Sequence, residues 1–227
     1  MARRKYNVDI RDIANRNEKH KNGKKIFMIA CEGTATEPKY LRNMINVLRQ
    51  NKSIGAGSDI IFAKHKHSNP TGVLSDLISD PRYSPSYNCW IVIDRDDKEN
   101  LGNGAGGTTI QEFNAALQKA EQKGVKVAFS NPCFELWIVL HFKYRETAVS
   151  RKEIQKTALD ILREHNFLTS NDRIQGMKTL DNLYECLLPY VDTAIKHAKT
   201  LDKKYGKTRE NPCTYIYKLV EEIRDPN

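Results

Sequence analysis

The chain has 227 residues, 39% hydrophobic and 29% charged, with 37 Lys/Arg against 28 Asp/Glu for a formal net charge of +9. That length suits one large domain, or one domain with a helical appendage, and no run of about 18 apolar residues is present to span a bilayer. Five scattered cysteines, Cys31, Cys89, Cys133, Cys186 and Cys213, form no C-x-x-C pair, which fits reduced thiols and argues against a zinc site.

The charge is uneven. Residues 1–25 carry nine Lys/Arg against Asp9, Asp12 and Glu18, and residues 196–209 carry six against Asp202 alone. Both blocks suit phosphate-rich partners through counterion release, and both equally suit a solvated tail or helix face. The chain is charged from Arg3 onward without an apolar signal core, so a cytoplasmic, non-membrane product is expected. Residues 1–24 read as a basic tail ending in the breaker Lys21-Asn22-Gly23.

Lys25–Cys31 is nearly continuous in apolar residues and reads as a first strand. It runs into Glu32-Gly33-Thr34-Ala35-Thr36-Glu37-Pro38, then into Tyr40, Leu41, Met44, Ile45 and Leu48 at helical spacing. Thr36 is the expected N-cap, with Pro38 in the first turn. Asp59–Lys64 reads as strand two, His65–Pro70 as a loop, and Thr71–Asp80 as a short helix. Asn88–Asp94 is strand three: Trp90-Ile91-Val92-Ile93 runs straight into Asp94-Arg95-Asp96-Asp97, as in a strand buried on both faces. A capping box at Thr109-x-x-Glu112 opens a helix to about Lys123, closed by Gly124. Val125–Phe129 is strand four, and Asn131–Phe142 begins with a cap-and-proline signal and reads as a buried helix. Strand-helix repeated four times over 25–142 predicts a parallel sheet with right-handed crossovers. From Ser150 onward strands are expected to stop, with helices from Ser150 to about His165 and at Lys178–Leu188, Tyr190–Tyr205 and Pro212–Arg224.

The expected architecture is therefore α/β: a four-stranded, mainly parallel, Rossmann-like sheet flanked by helices over 25–148, with a helical C-terminal region, 149–227, packed on it. In such a sheet Glu32 and Asp94/Asp96 fall on one carboxyl rim, where open α/β sheets bind ligands. Asp94 and Asp96, two residues apart, leave the strand on the same side and can share one ion. The bland alternative is a solvated turn after a core strand. Three convergent carboxylates do not all ionise cheaply without a cation, and hard oxygen ligands favour Mg²⁺ or Mn²⁺. Such a site suits phosphodiester chemistry.

Two other patterns carry less. Gly102-x-Gly104-x-x-Gly107 matches dinucleotide-binding spacing, but a polar stretch separates it from its strand and it follows the third strand; a loop near the site fits better. His65-x-His67 with His141 is too loosely arranged for a transition-metal site, and His141 reads as a core histidine. Arg95, Lys98, Lys64 and Lys66 fall near the rim, where they could hold phosphates or simply balance its charge.

Cys31-Glu32-Gly33 with Thr36-Glu37-Pro38, Ile93-Asp94-Arg95-Asp96-Asp97, Ser130-Asn131-Pro132-x-Phe134-Glu135-Leu136-Trp137 and Asn211-Pro212-x-Thr214 together resemble the RloB-like (AbiLii-like) proteins of restriction and abortive-infection loci. Glu32-Gly33 with Asp94-x-Asp96 resembles the Toprim signature of topoisomerases, primases and related nucleases. The resemblance implies a Toprim-like domain with Glu32 as general acid/base or metal ligand. It implies Asp94 and Asp96 as the Mg²⁺ pair with Asp97 as a helper, and Glu37 and Glu135 as further metal-side carboxylates. Both glutamates also read as simple first-turn acids favoured by the helix dipole. The implied activity is a nuclease acting on DNA or RNA in phage defence with an ATPase partner. Two rivals remain: another Toprim phosphotransfer enzyme such as a nucleotidyl transferase, and a regulatory module that only senses metal or nucleotide.

Overall fold

The structure, a computed structural model, describes residues 25–54, 58–95 and 109–224. Four strands, β1 (Ile26–Cys31), β2 (Asp59–Phe62), β3 (Asn88–Asp94) and β4 (Lys126–Asn131), pair in parallel, and a fifth, β5 (Cys213–Thr214), joins antiparallel to β4. The spatial order is β2-β1-β3-β4-β5.

That order follows from right-handed crossovers. From β1 the chain passes through helix α1 (Thr36–Gln50) to β2 on one side. It then returns through α2 (Pro70–Ile78) past β1 to β3 on the other side, and continues through α3 (Ile110–Gln122) to β4. Because the direction of travel reverses between β2 and β3, α1 packs on one face and α2 and α3 on the other. The two cores show this division. Met28, Ala30, Ile91 and Ile93 meet Val73, Leu77 and Phe113 on the α2/α3 face. Phe27, Ile29, Trp90 and Val92 meet Tyr40, Leu41 and Met44 of α1 on the opposite face. Strand alternation puts Asp94 in phase with Trp90 and Val92, toward the larger core.

The larger core is completed by α4 (Glu135–Leu140), α5 (Arg151–Glu164), α6 (Ile174–Thr179), α7 (Leu183–Leu187), a 3₁₀ turn (Leu188–Tyr190), α8 (Val191–Tyr205) and α9 (Ile216–Arg224). Every residue of α4 is buried, Trp137 completely. Capping boxes at Thr109/Glu112 and Ser150/Glu153 fix the starts of α3 and α5, as their sequences predict.

Several expectations are corrected, among them the helix expected at Lys178–Leu188, which is divided into Ile174–Thr179 and Leu183–Leu187. The sheet has five strands, because Cys213 and Thr214 pair with Asn131 and Ser130. The C-terminal region is therefore not wholly helical; two residues are too few to leave a strand period in the sequence. The final helix consequently opens at Ile216, and the buried helix after β4 opens at Glu135. Both Asn131-Pro132 and Asn211-Pro212 are cis peptide bonds. Thr36 lies inside α1, whose N-cap position is Ala35 without a side-chain cap; Asn69 caps α2 by accepting from the Gly72 amide. Among the described residues no helix is long and apolar enough to cross a membrane. The basic tail 1–24, the glycine-rich stretch at 102–107, and Asp96, Asp97 and Lys98 lie outside the described residues.

Candidate active site at the carboxyl rim

In a sheet ordered 2-1-3-4 the crossovers leaving the parallel neighbours β1 and β3 run to opposite sides, and the crevice outside their carboxyl ends is where α/β proteins place ligands. Glu32 directly follows β1 and Asp94 ends β3. The two are stitched together: the Glu32 amide donates to the Val92 carbonyl (2.9 Å), and the Asp94 amide donates to Glu32 Oε2 (3.0 Å). Glu37, in the first turn of α1, and Glu135, the first residue of α4, close over the same rim.

Together these four carboxylates line a cavity of about 390 Å³. Glu37, Asp94 and Glu135 are buried. Gly33 makes room for this packing, since a Cβ there would collide with both carboxylate oxygens of Glu37. Opposite the acids stand Arg151, the first residue of α5, and Lys178 of α6. Arg151 Nη2 lies 3.6 Å from Asp94 Oδ2, a loose ion pair, and Gln155 donates to Glu135 Oε1 at 3.3 Å.

The electrostatic consequence is a shortage of positive charge. Burial pushes the Glu32 carboxyl up to about 7, with Glu37 adding to the rise and the Asp94 amide and Arg151 opposing it. Asp94 is raised well above the carboxylate range by burial and by Glu37, Arg151 notwithstanding, and Glu37 is raised by burial and Glu135. The Cys133 thiol, fully buried beside this set, is raised by burial and by Glu135 and Asp94. Carboxylates held this way are poised to take up either protons or a cation. Their donor atoms, all hard oxygens, suit Mg²⁺ or Mn²⁺ in kind. Among the described residues, however, no group of three or more His, Cys, Asp or Glu side chains is drawn together closely enough to hold a metal ion.

The other expected residues are placed differently. Arg95 donates through Nη1 to the carbonyls of Arg209 (2.5 Å) and Thr208 (3.3 Å) and sits over the Phe113 ring, tying the end of β3 to the C-terminal segment. Lys64 and Lys66 are exposed on the loop after β2, with their amides bonded to Asp80 and Asp76. From that loop it is His65 and Ser68 that line the cavity. Arg151, Lys178 and His65 were not among the expected site residues. The Ser150 cap marks where α5 begins, but only the docking of α5 on α4 aims Arg151 at the rim.

Fold and site together define an α/β protein with a mostly parallel sheet and a buried carboxylate cluster at its topological switch point. The chain matches the family model described as RloB-like protein over residues 27–223, and it belongs to that family. Neither a curated protein nor a solved structure is significantly similar to it.

Proposed function

We propose that this protein is a Toprim-type, divalent-metal-dependent phosphodiesterase that cleaves nucleic acid, DNA or RNA, in bacterial phage defence. The observation that carries the reading is the cluster of Glu32, Glu37, Asp94 and Glu135 in one cavity at the β1/β3 switch point, with too little positive charge to balance it. Asp94 with Asp96 would hold the ion, with Glu37, Glu135 and Asp97 as supporting oxygens. A bound Mg²⁺ would polarise a phosphoryl oxygen and lower the proton affinity of the attacking water. Glu32, anchored on the Asp94 amide and raised to about 7, is suited to moving a proton near neutral pH. Arg151 and Lys178 can meet phosphate oxygens across the cavity. The ATPase partner and the cytoplasmic setting rest on the family resemblance.

The test is cleavage of labelled DNA and RNA by the purified full chain in Mg²⁺, against EDTA, Glu32→Gln and Asp94→Asn. Loss in all three controls supports the reading; folded variants that cleave at the wild-type rate refute it. A second reading, a metal- or nucleotide-sensing module, would use the same carboxylate cavity to bind a ligand without turning it over. Saturable Mn²⁺ binding without turnover on any nucleic acid would select it.

A further inference from the structure

We infer that His65 is the proton acceptor for the attacking water in this cavity, an assignment that rests on the phosphodiesterase reading. His65 lies on the exposed loop between β2 and α2, yet that loop is fixed. Asp76, buried on α2, accepts from the Lys66 amide (2.7 Å), the His67 amide (2.9 Å) and, at 2.6 Å, the His67 ring. Asp80, also buried, accepts from the Lys64 amide (3.0 Å) and is held in turn by Arg82. The residues on both sides of His65 are thus anchored, and His65 lines the carboxylate cavity. Its Nδ1 lies 3.3 Å from the Cys31 carbonyl, immediately before Glu32. A carbonyl oxygen only accepts, so Nδ1 carries the hydrogen, and in the neutral ring Nε2 carries the lone pair. That is the tautomer a base needs, set by the backbone of the strand that also presents Glu32.

The charged groups around this cavity are Glu32, Glu37, Asp94 and Glu135 on the acid side and Arg151 and Lys178 on the basic side. In the step, Nε2 takes a proton from water as the water oxygen bonds to phosphorus. The bond from phosphorus to the leaving oxygen breaks with its electron pair, and that oxygen takes a proton from solvent water. The products are a phosphate monoester and an alcohol, and His65 returns its proton to solvent.

The test uses the full chain on a nucleic acid that the wild type cleaves in Mg²⁺, with Glu32→Gln and Asp94→Asn as controls. For His65→Ala, kcat is expected to fall by about 10²–10⁴-fold with KM little changed. Added imidazole restores part of the rate, and the low-pH limb of the rate profile is altered. Long-range ¹H–¹⁵N spectra should show the neutral ring protonated at Nδ1. A His65→Ala rate within about threefold of wild type, a loss that imidazole does not rescue, or an Nε2–H tautomer overturns the assignment of His65 alone. A wild type that cleaves nothing, or a cleavage indifferent to Glu32→Gln and Asp94→Asn, overturns the phosphodiesterase reading and this assignment with it.

Discussion

Replacing Glu32 by Gln should stabilise the metal-free protein while removing the proposed cleavage activity. The Glu32 carboxyl sits at about 7 in the fold against an ordinary value of 4.5, chiefly because burial disfavours the ion. Its folded value is the higher one, so between about pH 4.5 and 7 the folded state binds more protons than the unfolded chain, and stability falls as pH rises through that window. Above pH 7 the ionised carboxylate costs about 3 kcal/mol, at about 1.4 kcal/mol per decade. Gln keeps an oxygen to accept from the Asp94 amide, and the charge assistance of that bond is already contained in the shifted value. The net gain is then about 3 kcal/mol at pH 8, or roughly 6–12 °C in Tm for a protein of this size. Thermal unfolding of both proteins in EDTA at pH 8 and pH 5 measures it. At pH 5 the wild-type side chain is protonated and the advantage should vanish. A variant that melts at or below wild type at pH 8, or one whose advantage is the same at pH 5, refutes the account of a strained, under-neutralised carboxylate.

Gly33→Ala should lower the proposed cleavage at least tenfold with the fold intact, because the new methyl displaces the Glu37 carboxylate from the cavity; comparing the rate with the circular dichroism spectrum checks this. His141 is completely buried, its Nδ1 bonded to the Trp137 carbonyl and its Nε2 without a partner, and burial holds its pKa down to about 4. The unfolded chain therefore binds the extra proton below about pH 6.5, so stability should drop by about 3 kcal/mol as pH falls from 6.5 to 4. In His141→Leu that part of the slope in urea unfolding should disappear. Asp76→Ala leaves two amides and a ring nitrogen without their acceptor and should cost about 2–4 kcal/mol. Hydrogen exchange at Lys66 and His67 should accelerate in it before global unfolding does.

Much of the fold was legible because each strand is a short apolar run and each crossover helix has its own start signal. Trp90-Ile91-Val92-Ile93 needs burial on both faces, and only a parallel sheet covered by helices supplies it. β5 was illegible for the opposite reason: Cys213 and Thr214 take strand geometry from pairing with β4, with no period of their own. The Thr36 expectation failed because a good cap residue one position inside a helix looks, in sequence, like a cap. The carboxylates Glu32, Glu37, Asp94 and Glu135 could be proposed in advance since each sits at a strand end or helix start, positions that topology alone sends to one rim. Arg151 and Lys178 reach the same cavity from helices whose docking is set by distant core contacts such as Ile154, Leu162 and Met177, and no local pattern reports that.

The same contrast bears on what the site is for. A folding chain gains nothing from placing Glu37, Asp94 and Glu135 in one buried cluster; neutral residues of similar shape would pack there at lower cost. Structural carboxylates elsewhere in this protein show how the chain behaves when stability alone is served. Asp76 and Asp80 are also buried, yet each is saturated with donors, and Asp80 is held well below the usual carboxylate range by the Arg82 guanidinium. Asp94 and Glu32 are pushed the opposite way. Within one fold, then, Asp80 is held low by its donors, whereas Glu32 and Asp94 at the switch point stay raised despite the Asp94 amide and Arg151. That difference is the argument for reading the rim as a place where a ligand completes the charge balance.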